Sequence, residues 1–167
     1  MEEQYKQYSE SQYVARPLEG ALEVDVAVAV ADIARVEPLH SARGGYLLTL
    51  REAVESPQAG WELLRGRLGE SFVVVPVMVS PEGDVRYPTG LITLRSRSPL
   101  VREALDDLAA RLALEVVGGG SSPKQARLRP RDPGREFLPD VARQLAAADE
   151  AHAEAVWLDA ESRYLRA

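Results

Sequence analysis

The sequence predicts an α+β fold in two parts: a β-rich first half with one helix, and a second half running β-α-β-β-α-β. Three observations predict it. Aliphatic residues alternate with a period of two in several segments, the mark of half-buried strands. Elsewhere they recur at three- and four-residue spacing, the mark of helices. Clusters of Gly, Pro and Ser punctuate the changes between the two patterns.

Residues 1–17, MEEQYKQYSESQYVARP, are polar, tyrosine-bearing and poor in aliphatics, and they are expected to form a flexible tail. They lack the basic start and apolar stretch of a secretory signal. Residues 22–36, LEVDVAVAVADIARV, alternate at Leu22, Val24, Val26, Val28 and Val30, and their branched side chains favour an extended backbone, so a strand is expected. Gly44-Gly45 permits a turn into a second strand over Tyr46–Leu50. Ser56-Pro57 opens a helix, with Ser56 able to cap and Pro57 already held at a helical φ. Trp61, Leu64 and Leu68 give that helix one apolar face until Gly69 ends it. Phe72–Val79 is an apolar run of strand length, in which Pro76 argues for an edge position or a bulge because proline cannot donate to a ladder. Ser80-Pro81-Glu82-Gly83 is a turn.

Thr89-Gly90 is the candidate boundary, giving a tail over 1–17, a β-rich domain over 18–89 and a second domain over 90–167. Leu91–Arg97 alternates as a strand. Ser98-Pro99 is expected to open a helix carrying Val101, Ala104, Leu105, Leu108 and Leu112 on one face. Leu114–Val117 is a short strand, Gly118–Pro123 a loop, and Gln125–Arg129 a strand with Ala126 and Leu128 on one side. A second helix carries Leu138, Val141, Leu145 and Ala148, and Ala155–Asp159 is the last strand. This order is the ferredoxin-like arrangement, in which two helices cover one face of a four-stranded antiparallel sheet and leave the other free. Right-handed crossovers place the final strand at an edge. The fold alone assigns no function.

The composition narrows the possibilities. With 167 residues, 46% of them hydrophobic, the chain is long enough for a core but too short for more than two small domains. The absence of cysteine removes disulfides and thiolate metal sites. No apolar run approaches the roughly 18 residues of a membrane helix, so no membrane partner is expected, and the chain, if complete, is expected in the cytoplasm. The net charge of −6 belongs to the first half: residues 1–89 hold 14 acidic and 8 basic side chains, and residues 90–167 hold 12 of each. A basic stripe at Lys124, Arg127, Arg129, Arg131 and Arg135 is read as the wet face of a strand and loop in preference to a phosphate-binding track. Nearby acids cancel its field and no stacking aromatics interleave, so no nucleic-acid partner is expected.

No catalytic constellation stands out, and the chain is not expected to be an enzyme or to hold a cofactor or metal. The glycine-rich run Gly118-Gly119-Gly120-Ser121-Ser122 lacks the following Gly-Lys-Ser/Thr of a phosphate cradle. His40 and His152 are isolated and expected at the surface, and Asp106-Asp107 lie on the polar side of their helix.

The chain ends in VWLDAESRYLRA, a half-buried strand with two alternate carboxylates that runs into an uncapped tail. This ending, with the segment VVVPVMVSPEGDVRYPTGLITLRSRSP, the helix VREALDDLAARLALEVV, the strand QARLRP and the helix FLPDVARQLAA, resembles the propeptide of subtilisin-type serine proteases over about residues 72–167. That family's last strand reads aliphatic, any, aromatic, aliphatic, acidic, any, acidic. Ala155 to Glu161 fill those places, with Ala155 smaller than the usual valine. The resemblance implies a ferredoxin-like inhibitor and folding chaperone of a subtilisin-type protease. Asp159 and Glu161 would face the N-termini of two protease helices, where each carboxylate meets unsatisfied N–H groups. Tyr164, Leu165, Arg166 and Ala167 would occupy the substrate cleft as an added strand, with Ala167 nearest the catalytic serine. The residues by themselves also fit two solvated acids on an edge strand and a frayed end. A different class of function stays open beside this one: a ferredoxin-like regulatory module that homodimerises through its free sheet face and has no connection with proteolysis.

Overall fold

The computed structural model describes residues 7–18, 25–40, 44–119 and 122–161. In chain order the elements are β1 (Gln7–Pro17), α1 (Val26–Ala29), β2 (Ala34–Pro38), β3 (Tyr46–Leu50), α2 (Pro57–Leu68), β4 (Phe72–Val79), β5 (Val85–Ser96), α3 (Arg102–Arg111), β6 (Leu114–Gly119), β7 (Gln125–Pro130), α4 (Leu138–Ala147) and β8 (Ala153–Glu161). The strands of defined register pair antiparallel, so the class is α+β. The chain forms two compact units, one of Met1–Thr89 with Ala160–Ala167, the other of Gly90–Asp159.

In the first unit the strands lie in the order β2-β3-β1-β4-β5. Residues 7–17, expected within a flexible tail, instead form β1 at the middle of this ladder, paired on both sides. Tyr13, Val14 and Ala15 are fully buried. Successive side chains leave a strand on opposite faces. The Tyr13 hydroxyl reaches α2 and donates to the Pro57 carbonyl at 2.9 Å, while Val14 packs with Leu39, Leu47, Val77 and Tyr87. A strand covered on both faces has no polar alternation to display, and five residues, QYVAR, carry nearly all of its burial.

The strand expected over 22–36 is also corrected, its first three residues lying outside the described ones. Asp25 accepts a hydrogen bond from the Val28 N–H at 3.2 Å and caps α1. Val26 and Val30, four apart, are buried, while Val28 between them is 73% exposed. Capping and i, i+4 burial outweigh the β-branched pattern here. Extended structure begins only at Ala34.

Pro76 lies in β4, which sits between β1 and β5 and is not an edge. The irregularity expected of proline is present in its partner. Pairing passes from Tyr8↔Met78 to Tyr13↔Pro76, so extra residues of β1 loop out where Pro76 has no N–H to give. Ser56 caps α2 through Ala59 N–H at 3.1 Å, and Gly69, at φ 74, closes the helix.

In the second unit the strand order is β8-β5-β7-β6, with α3 between β5 and β6 and α4 between β7 and β8. The register pairs Ile92 with Leu128 and Leu94 with Ala126 on one parity, and Thr93 with Arg127 and Arg95 with Gln125 on the other. The first parity is buried, as are Leu105, Leu108, Leu138 and Leu145 of the helices. The second parity is polar. α3 begins at Arg102 without a side-chain cap, later than Ser98-Pro99 suggests. The Leu100 N–H donates instead to the Pro123 carbonyl at 2.9 Å, tying the preceding segment to the β6–β7 connection. Val101 and Ala104, expected on the apolar face, are exposed. β6 runs on to Gly119, two residues into the segment expected as a loop.

Candidate functional site

The polar face of the second unit is built by β5, β7 and β8, which alternate side chains so that one set meets the core and the other does not. On β8, Leu158 enters the core while Trp157 and Asp159 take the opposite side. Asp159 is engaged there: Thr93 Oγ1 donates to one carboxylate oxygen, and Arg127 Nε lies 3.4 Å from the other. The Asp159 side chain is 18% exposed. The Arg95 guanidinium stands 5.4 Å from the centre of the Trp157 ring, with Nε 3.3 Å from Glu154. Arg129 pairs with Glu115 on the neighbouring ladder. The face therefore carries paired charges around the Trp157 ring.

Glu161, the second predicted carboxylate, belongs to the first unit and meets its partner within it. Its Oε1 accepts from Arg16 Nη2 at 2.8 Å. Arg16 also donates from Nε to the Pro88 carbonyl at 2.9 Å and from Nη1 to the Gly44 carbonyl at 2.7 Å. Its side chain is 8% exposed and that of Glu161 29%. The cradle has a sequence cause. Gly45 has φ 108, and a Cβ there would stand 2.9 Å from the Ala15 carbonyl and 3.0 Å from Arg16 Cγ, so only glycine lets this turn close over Arg16. Sequence reasoning missed Arg16, because a single arginine at the end of a polar stretch gives no sign that the stretch is a buried strand.

Asp159 and Glu161, two residues apart, thus meet different partners, Thr93 with Arg127 and Arg16. Tyr164, Leu165, Arg166 and Ala167 lie outside the described residues. Lys124, Arg127, Arg129, Arg131 and Arg135 are exposed; Arg127 and Arg129 pair with Asp159 and Glu115, and Arg131 Nε donates to the Leu114 carbonyl at 3.3 Å. His40 and His152 are exposed. His152 sits at φ 45 after a 3-10 turn, and its carbonyl accepts from Arg97 N–H at 2.8 Å. Asp106 pairs with Arg102 one helical turn away.

Among the described residues no group of three or more His, Asp or Glu side chains is arranged to hold a metal ion, and no helix is long and apolar enough to cross a membrane. No family model matches the chain, and neither a curated protein nor a solved structure matches it.

Proposed function

We propose that this chain is a protein-binding module of the subtilisin-propeptide kind: its second unit takes the ferredoxin-like arrangement, docks on a subtilisin-type serine protease by its polar sheet face, and acts as inhibitor and folding chaperone. Asp159 and Glu161 then meet helix N-termini of the protease, and Tyr164 to Ala167 enter its substrate cleft. The observation that supports this reading is the strand order β8-β5-β7-β6 with one helix in each crossover. It accompanies a last strand on which Trp157 and Asp159 lie on the polar side of the sheet. A carboxylate at a helix N-terminus is worth about 0.3–2 kcal/mol, so Asp159→Ala and Glu161→Ala each weaken inhibition by about 2- to 30-fold.

The test is a titration of the full chain against a subtilisin-type protease, followed by initial rates. Saturable inhibition that is lost on deletion of Arg163–Ala167, with the fold intact by circular dichroism, is the expected result. Equal inhibition after the deletion removes the tail from the mechanism, and no inhibition by the intact chain removes the protease.

A second reading is favoured by the internal pairing of both carboxylates, which leaves neither as a spare charge. In it the module homodimerises through the same face without any protease. Sedimentation velocity separates the two: a stable dimer that has no effect on the protease selects the second.

A further inference from the structure

The Arg16 cradle assembles three chain segments far apart in sequence. Two acceptors, the Gly44 and Pro88 carbonyls, are main-chain groups of the first unit, fixed by the Gly44-Gly45 turn and by β5. The third is the carboxylate of Glu161, the last described residue. A buried guanidinium requires anionic or strongly polar partners. The two carbonyls hold its position, and the carboxylate adds a charge-assisted bond. Glu161 is the more exposed member and is carried by a strand terminus, so it is the part of the cradle that can leave without disturbing a turn or an interior strand.

We propose that Arg16 and Glu161 form a latch that holds the end of β8 against β1, so that a partner gains the Glu161 carboxylate only by outcompeting Arg16. Opening exposes a cation that the fold keeps from water, which returns the carboxylate to its seat whenever no partner is present. The partner that opens it must present a donor set at least as good, such as a helix N-terminus or a second guanidinium. The consequence for binding rests on the protein-binding reading above, whereas the latch itself does not.

The experiment is amide hydrogen exchange on the full chain, comparing the wild type with Glu161→Ala, Glu161→Gln and Arg16→Lys. Glu161→Ala is expected to speed exchange at residues 158–161 by about tenfold or more while protection in β1 and β4 is kept. Glu161→Gln, which retains an acceptor without charge, falls between. Arg16→Lys, which keeps the charge but loses the fork that reaches three acceptors, also speeds exchange at that end. Exchange at 158–161 within twofold of wild type in a folded Glu161→Ala protein overturns the latch. So does loss of protection throughout β1, which would make the pair part of the core. A second arm measures affinity for a subtilisin-type protease. Tighter binding by Arg16→Lys than by wild type is expected, and equal or weaker binding overturns the competition. If no variant binds, the protease reading fails while the exchange result stands.

Discussion

Two glycines of α2 make a paired experiment. Gly60 and Gly66 lie on the same helix, and replacing either with alanine removes the same backbone freedom, a gain of about 1 kcal/mol in a helix interior. Their surroundings differ. A Cβ on Gly66 meets nothing within 4 Å, whereas a Cβ on Gly60 would stand 2.0 Å from the Tyr13 hydroxyl oxygen, 2.6 Å from its Cζ and 3.0 Å from Leu50 Cδ1. Tyr13 is fully buried and donates to the Pro57 carbonyl at the start of the same helix, so it cannot swing aside without losing that bond. Overpacking costs about 1–3 kcal/mol, and a buried hydroxyl left without its acceptor costs about 1–3 kcal/mol more. Set against the propensity gain, Gly60→Ala is expected to destabilise by about 1–5 kcal/mol. Gly66→Ala is expected to stabilise by about 0.5–1 kcal/mol. Urea denaturation followed by circular dichroism reads both as midpoint shifts at constant slope. Tyr13→Phe in the Gly60→Ala background removes the nearest atom and should recover part of the loss, because the contact to Cζ remains. A Gly60→Ala protein as stable as wild type, or two glycine variants that shift the midpoint the same way, would refute the close approach of α2 to β1.

Tyr13 also sets an alkaline limit. Burial, with the Glu10 charge adding to it, raises its hydroxyl well above the ordinary 10.0. The folded state then keeps a proton that the unfolded chain releases, so this contribution to stability is whole below about pH 10 and is lost as pH rises further. Tyr13→Phe should flatten the fall in urea midpoint above pH 10, and an unchanged slope would count against the burial. On the polar face, Asp159→Ala leaves the buried Thr93 hydroxyl without its acceptor and should cost about 1–3 kcal/mol. Thr93→Val in that background should restore much of the midpoint, and additive losses from the two changes would deny their coupling.

Elements whose signal is local were legible in the sequence. α2 announced itself through Ser56, Pro57, its Trp61-Leu64-Leu68 stripe and Gly69, because cap, start, face and stop all sit within fourteen residues. The β6–β7 pair and α4 were equally plain, since each buries one face and shows the other. β1 was hidden because its burial is decided by what arrives later on both sides, α2 on one and the Leu39, Leu47, Val77 and Tyr87 cluster on the other. The valines after Asp25 misled for the reverse reason. Their alternation is real, but a single capped turn buries Val26 and Val30 and leaves Val28 in water. Of the candidate site, the positions of Asp159 and Glu161 on the last strand were readable, whereas their partners were not. Thr93, Arg127 and Arg16 come to them from 66, 32 and 145 residues away, and no local pattern encodes such a meeting.

The first unit draws its last segment from the far end of the chain, beginning at Ala160, while the second is one uninterrupted stretch. During synthesis, therefore, the half made first is completed last. Arg16 leaves the ribosome 145 residues ahead of the carboxylate it will bind, so until Glu161 is made the guanidinium rests on the Gly44 and Pro88 carbonyls and lacks its charge-assisted bond.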